Sequence, residues 1–264
     1  MYLQADEMAA SAASASAVLV APGATCPWGE ADRSWNGAPE DQVYRCSFGP
    51  GGGVALEVLQ SGGVQAAEVV QHKSLGDDGF LGNTGLVVWY SAPMLCRYIS
   101  CLHDRGDLDM RGASVLDLGA GTGLLGLACA CFGAQVVLSD FWDSTLALLH
   151  ANAAANAMRI ADAGGGPLHV AKFDWRQPFP IRREDVTALS QKRAAADVLN
   201  ATAPSSGGYF DFVVGTDILF SEEAVPLVVG VLALVCDNTT RVFLGNEELW
   251  CVPGTCSTTL TSSS

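Results

Sequence analysis

Ser114 to Asp140 reads S-V-L-D-L-G-A-G-T-G-L-L-G-L-A-C-A-C-F-G-A-Q-V-V-L-S-D. Val115 to Leu118 is an apolar run of the length and type of a buried parallel strand. A glycine turn follows at Gly119, Gly121 and Gly123. A helical pattern then runs from Leu124 to Phe132 and stops at Gly133. A second apolar run, Val136 to Leu138, leads to Asp140. Strand, glycine turn, helix, strand and acid make one βαβ unit suited to a nucleoside. The glycines let the backbone approach a ligand where a Cβ would collide. The acid at the tip of the second strand is placed to accept from two ribose hydroxyls.

Two ligand classes compete for this unit. Gly121-Thr122-Gly123-Leu124-Leu125-Gly126 matches the dinucleotide fingerprint, and Asp140 lies near the expected distance. Asp117 points elsewhere. It stands inside the first strand, where the dinucleotide unit carries an apolar residue, and gives D-L-G-A-G-T-G, an acid followed by three alternating glycines. No Tyr-x-x-x-Lys set for hydride transfer follows. An acid near the strand tip suits a ligand with an ammonium group, and S-adenosylmethionine carries one. The competing role for Asp117 is a cap on the following helix or loop.

After Asp140 the pattern predicts a helix from about Ser144 to Met158, with Asn152 and Asn156 one turn apart. Gly164-Gly165-Gly166-Pro167 breaks it. Leu168 to Ala171 reads as the next strand, and it delivers Asp174 and Trp175 to the carboxyl end of the sheet, where ligands bind in open α/β folds. As a lone Trp, Trp175 serves equally well as a core residue. About residues 176–208 form an insertion, read as a solvated excursion. Phe210 to Gly215 is the fourth strand of the sheet and brings Thr216 and Asp217 to the same edge. Glu222 to Val235 reads as a helix apolar on more than one side and therefore well buried, and Arg241 to Leu244 as the fifth strand. The alternating order predicts a Rossmann-like α/β fold, a doubly wound and mostly parallel sheet.

Ahead of the central unit, Val54, Leu56 and Val58 alternate with Ala55 and Glu57, a half-buried strand. Ala67 to Gln71 is its expected hairpin partner, across Gly62-Gly63. A glycine-rich loop spans Gly76 to Gly85, and a helix with Pro93 in its first turn runs to about His103. Trp89 sits just before that helix, as a core anchor or as a wall of the ligand pocket.

Composition bounds the partners. The net charge is −14, and only 16% of residues are charged. Phosphate-backbone binding needs Lys and Arg, so nucleic acid is not expected as a partner. The nine cysteines show no C-x-x-C pair and no zinc spacing, so no metal site is expected, and a reduced, cytoplasmic setting (or a nuclear one) is. No apolar run is long enough to span a bilayer. Residues 1–37 read as a disordered Ala/Ser-rich leader, 38–250 as one domain, and 251–264 as a disordered tail.

Taken in order, Gly85 with Val88-Trp89, the D-L-G-A-G-T-G turn with Asp140, Asn152 with Asn156, Asp174-Trp175, and Thr216-Asp217-Ile218-Leu219-Phe220 resemble the class I, seven-strand S-adenosylmethionine methyltransferases. More narrowly, they resemble the protein-lysine methyltransferase group that includes methyltransferase-like protein 21. The resemblance covers roughly residues 54–248. It implies S-adenosylmethionine as cofactor, with Gly119, Ala120 and Gly121 along its methionine and ribose and Asp140 on the ribose hydroxyls. Trp175 would contact adenine, and Trp89 and Thr216 would close the pocket. Asp117, Gly123 and Asp174 complete the cofactor-binding candidates. Asp217 would stand as the catalytic residue at the substrate amine. A protein lysine is the implied substrate.

Two departures stand out. Phe220 occupies a position where the group usually has Tyr, and Leu249 one where it tends to have Arg. The class I fold also adds a helix and a hairpin after its fifth strand, and only twenty residues follow Leu244. The expectation is therefore a shortened C-terminal hairpin and an open edge on the fifth strand, with a completing partner as one remedy. Besides a protein-lysine methyltransferase, the sequence leaves two readings. One is a methyltransferase for another amine or small molecule, and the other an inactive interaction module of the same fold.

Overall fold

A computed structural model describes residues 16–20, 43–49, 52–60, 84–180 and 210–246. Six strands form one sheet: β1 (Ser16–Val20), β4 (Ser114–Leu118), β5 (Gln135–Asp140), β6 (Leu168–Lys172), β7 (Phe212–Thr216) and β8 (Arg241–Gly245). Their order is β1-β8-β7-β4-β5-β6, and every neighbouring pair is parallel. The chain steps outward from β4 through β5 to β6, then crosses back to β7 on the other side. The order reverses between β4 and β7, so a crevice opens at the carboxyl ends of those two strands.

Period-two alternation sorts the side chains into two cores. On one face Val115, Val136, Leu138, Val214 and Phe243 pack under α1 (Ser91–Asp104), α2 (Leu124–Cys131) and α3 (Asp143–Asp162). On the other, Leu116, Leu118, Val137, Val213 and Val242 pack under α4 (Ala224–Val235). All eight residues of α2 are buried, so it is a core helix and not an amphipathic one. Helix α3 runs past Met158 to Asp162, because no breaker intervenes before Gly164.

Three expectations change. The hairpin partner of β3 (Val54–Leu59) is β2 (Val43–Phe48), paired antiparallel with Val43 opposite Leu59. Cys46 and Phe48 supply the inward alternation that matches Leu56 and Val58, whereas Ala67 to Gln71 lies outside the described residues. Helix α4 is buried on one side only. Ala224, Val228, Val231 and Val235 face the sheet, while Val225, Val229 and Leu234 are exposed among the described residues. A single helix resting on a sheet covers one stripe of its own surface.

The third change is at the sheet edge. Within the expected leader, Ser16–Val20 forms β1 and pairs along β8, from Ser16 opposite Arg241 to Val20 opposite Gly245. The edge expected to be open is therefore occupied by a strand from far up the sequence. The rest of residues 1–37, residues 181–209 of the insertion and the tail 251–264 lie outside the described residues.

The hairpin is tied to α3 by the two asparagines. Glu57 N–H donates to Asn156 Oδ1 at 3.2 Å, and Asn156 Nδ2 donates to Glu57 O at 2.7 Å. Four residues of helix rise about 6 Å, close to the two-residue repeat of a strand. Amides one turn apart therefore meet alternate peptide groups of β3.

Candidate functional site

The glycine turn sits over the crevice. Gly119, Gly121 and Gly123 all have positive φ, 65°, 55° and 84°. Close approach fixes glycine at two of them as well. A Cβ on Gly119 would lie 2.8 Å from Ile218 Cγ2 and 3.2 Å from Trp175 Cζ2, and one on Gly123 would lie 2.7 Å from Leu149 Cδ2. The turn is held by Ala120 N–H donating to Ser139 O and Gly123 N–H donating to Ala120 O, both at 2.8 Å.

Asp140 ends β5 beside this turn. Its Oδ2 accepts from Gly121 N–H at 3.0 Å, and its Oδ1 from Phe141 N–H at 2.7 Å. Burial pushes its carboxyl up from the ordinary carboxylate range, and these backbone N–H groups oppose that shift. A carboxylate has about four lone-pair directions, so acceptor capacity remains for donors in the crevice.

Asp217 follows β7 directly, and it is the non-glycine residue with positive φ among those described, at 56°. Its N–H donates to Gly245 O at 2.8 Å, and its Oδ1 accepts from Ser91 Oγ at 2.8 Å. Thr216 lies in register with Gly245. The next residue, Ile218, is the side chain against Gly119. The backbone after β7, the end of β8, the start of α1 and the glycine turn thus converge on one edge.

The structure brings together Gly119, Ala120, Gly121, Gly123, Asp140, Trp175, Thr216 and Asp217. It turns three other candidates to different partners. Asp117 is 2% exposed and lies beneath α2, where its Oδ2 accepts from Gly126 N–H at 2.8 Å. That is the cap reading. Gly126 is required by the same packing, since a Cβ there would lie 2.8 Å from Asp117 Oδ2. Burial pushes the Asp117 carboxyl up to about 7, against the pull of Gly126 N–H. Asp174 accepts from Arg176 Nε at 2.8 Å and from its second guanidinium nitrogen at 2.9 Å, and this holds its carboxyl below the usual range. Trp89 donates its indole N–H to Thr84 O at 2.8 Å, fixing the segment that leads into α1.

Ser91, Ile218 and Gly245 complete the edge and were not legible as site residues. A serine at a helix start signals local capping, and nothing in its spacing points to a partner 126 positions away. Among the described residues, no group of three or more His, Cys, Asp or Glu is placed to hold a metal ion, and no helix is long and apolar enough to cross a membrane.

A nucleoside cofactor fits this donor set. The turn leaves room where side chains would collide, the acid at the strand tip retains acceptor capacity, and an indole lies against the turn.

Residues 74–198 match the family model described as lysine methyltransferase. EEF1A lysine methyltransferase 3 of Xenopus tropicalis is 28% identical over 160 residues, 61% of this chain and 56% of that protein. Protein N-lysine methyltransferase METTL21A of Danio rerio is 29% identical over 158 residues, 60% of this chain and 58% of that protein. Methyltransferase-like protein 22 of Homo sapiens is 33% identical over 118 residues, 41% of this chain and 28% of that protein. The chain thus spans a little over half the length of the first two relatives. Residues 74–198 thus match the lysine methyltransferase model, and the chain is similar to curated protein-lysine methyltransferases, among them one of the methyltransferase-like protein 21 group.

Proposed function

We propose that this chain transfers a methyl group from S-adenosylmethionine to a lysine side chain of a protein. One observation carries the reading: Asp217, held in the left-handed region at the end of β7, is followed by the side chain that packs on Gly119 of the nucleoside turn. A carboxylate and a cofactor cradle therefore meet at one sheet edge. The family match and the relatives named as lysine methyltransferases support the choice of reaction.

When bound, S-adenosylmethionine supplies a methyl group made electrophilic by the sulfonium that carries it. Asp140 would take the ribose hydroxyls on its remaining lone pairs. The glycine turn would hold the ribose and methionine portion, and Trp175 the adenine. Asp217 receives the amine. A free lysine titrates near pH 10.4, so presenting it neutral at pH 7 costs roughly 4–5 kcal/mol. A carboxylate alone raises an amine pKa, so Asp217 acts as an orienting acceptor and a proton route, not as a strong base. Alignment of the nitrogen lone pair with the methyl group is then its main contribution. Transfer would form an N–C bond as the S–C bond breaks, and the amine proton would leave by way of Asp217. The acidic chain, at −14, suits a basic protein segment around the target lysine.

The test is incubation of the chain with methyl-labelled S-adenosylmethionine and a cell extract. Label on a protein, mapped to lysine, is the expected result. Label confined to small molecules would move the reading to a small-molecule methyltransferase. Absence of transfer despite tight cofactor binding would leave an inactive module of the same fold.

A further inference from the structure

We infer that Ser91 is a positioning residue, whose hydroxyl aims the Asp217 carboxylate at the reacting centre; this rests on the function proposed above. Ser91 is the first residue of α1 and is 6% exposed. The N-cap position of α1 is Tyr90, so the Ser91 hydroxyl, one position further in, is not the capping group. The residue before it, Tyr90, makes no side-chain cap bond, and the Ser91 hydroxyl reaches away from α1 to Asp217 Oδ1 at 2.8 Å.

Two further contacts turn this bond into a constraint on direction. Asp217 N–H is fixed to Gly245 O at 2.8 Å, so the backbone of Asp217 cannot follow its side chain. Gly245 in turn lies close to Ser91: a Cβ built on it would stand 3.3 Å from Ser91 Cβ and 3.6 Å from Thr216 Cγ2. The backbone conformation at φ 56° directs the side chain, and the hydroxyl holds one carboxylate oxygen. The carboxylate is thereby held in one orientation. The N-terminal end of α1, a 14-residue helix, adds positive potential beside this carboxylate.

A binding comparison reads this direction without any turnover. S-adenosylhomocysteine carries a neutral thioether. Sinefungin carries an ammonium group on the carbon that replaces the sulfur, where the transferable methyl would stand. A carboxylate aimed at that point favours sinefungin by about tenfold, the worth of one charge-assisted hydrogen bond. Calorimetry on the full chain gives the ratio of the two dissociation constants for the wild type, Ser91→Ala, Asp217→Asn and the double variant. The expected result is a preference for sinefungin that Ser91→Ala and Asp217→Asn each reduce toward unity. S-adenosylhomocysteine affinity is expected to hold in Ser91→Ala, and Ser91→Ala to add nothing in the Asp217→Asn background. Ser91→Thr, which keeps the hydroxyl, is expected to retain the preference.

A loss of general packing would weaken both ligands alike and leave the ratio unchanged, which overturns the inference. A ratio lowered by Asp217→Asn and untouched by Ser91→Ala also overturns it, while the proposed function stands. If the wild type binds neither analogue, or if Asp217→Asn leaves the ratio unchanged, the placement of the reacting centre is wrong and both fall together.

Discussion

Asn152 grips Leu59 by both halves of its backbone: Leu59 N–H donates to Asn152 Oδ1 at 2.6 Å, and Asn152 Nδ2 donates to Leu59 O at 3.1 Å. The same Nδ2 donates to Thr122 O at 2.8 Å, within the glycine turn. One fully buried amide therefore joins the hairpin to the loop that cradles the ligand. Asn152→Ala removes these bonds and leaves the buried Thr122 carbonyl without this donor. The expected loss is about 2–4 kcal/mol of stability, measured by urea unfolding. Asn156→Ala breaks the Glu57 pair and leaves the Thr122 bond intact, so its loss should be smaller, about 1–3 kcal/mol. Equal and negligible losses would mean that the hairpin is not held by these amides.

Asp117 gives the fold a dependence on pH. The unfolded chain releases this proton near pH 4, and the folded chain near 7, because burial disfavours the charge and Asp140 adds to it. The folded state is thus the better proton binder. Its stabilisation is whole below about pH 4 and is lost as pH rises through 7, by an amount on the order of 4 kcal/mol. Asp117→Asn keeps an acceptor for Gly126 N–H and does not titrate. Its stability relative to the wild type should rise steadily between pH 4.5 and 8. A difference that stays constant with pH would show that Asp117 is charged throughout.

Gly119→Ala tests the turn. Its φ of 65° is unfavourable for alanine, and the new methyl meets Ile218 Cγ2 at 2.8 Å. A cost of about 2–4 kcal/mol follows from strain and overpacking together. Trp175 lies against the same methyl, so tryptophan emission should shift with the substitution, and affinity for S-adenosylmethionine should fall by at least about tenfold. An unchanged affinity would separate this turn from the ligand.

Asp140→Ala removes the acceptor assigned to the ribose. The expected fall in S-adenosylmethionine affinity is about a hundredfold by calorimetry, for two hydrogen bonds to a charged group. Unchanged binding would refute the ribose assignment.

Much of this arrangement was legible in the sequence. The apolar runs at Val115–Leu118 and Val136–Leu138 marked two neighbouring strands, because residues buried on both faces need no alternation. The glycines and Asp140 were legible because their roles are local, set by φ and by position at a strand tip. Contacts that depend on tertiary placement were not. Asp174 is two residues from Arg176, a pairing that sequence permits and geometry decides. Asp117 was readable as ligand or cap, and only the packing of α2 at Gly126 chooses the cap. The hairpin partner was missed although Gly49-Pro50-Gly51-Gly52-Gly53 marks a turn just before β3: the run Val43–Phe48 carries Arg45 and Ser47 on its outer face and only Cys46 and Phe48 fully buried on its inner one, a weak apolar pattern.

Strand β1 has a consequence for the order in which the molecule assembles. Ser16 pairs with Arg241, so nearly the whole chain intervenes between the two halves of one ladder. During synthesis β1 leaves the ribosome well ahead of β8, with residues 21–240 emerging between them. For most of translation its peptide groups have no sheet to join, and closing so long a loop is entropically slow. The β4–β5 unit, whose partners are near in sequence, can form long before. A protease added to nascent chains of increasing length should therefore cut at residues 16–20 until β8 has emerged, and the nucleoside turn should already be resistant by then.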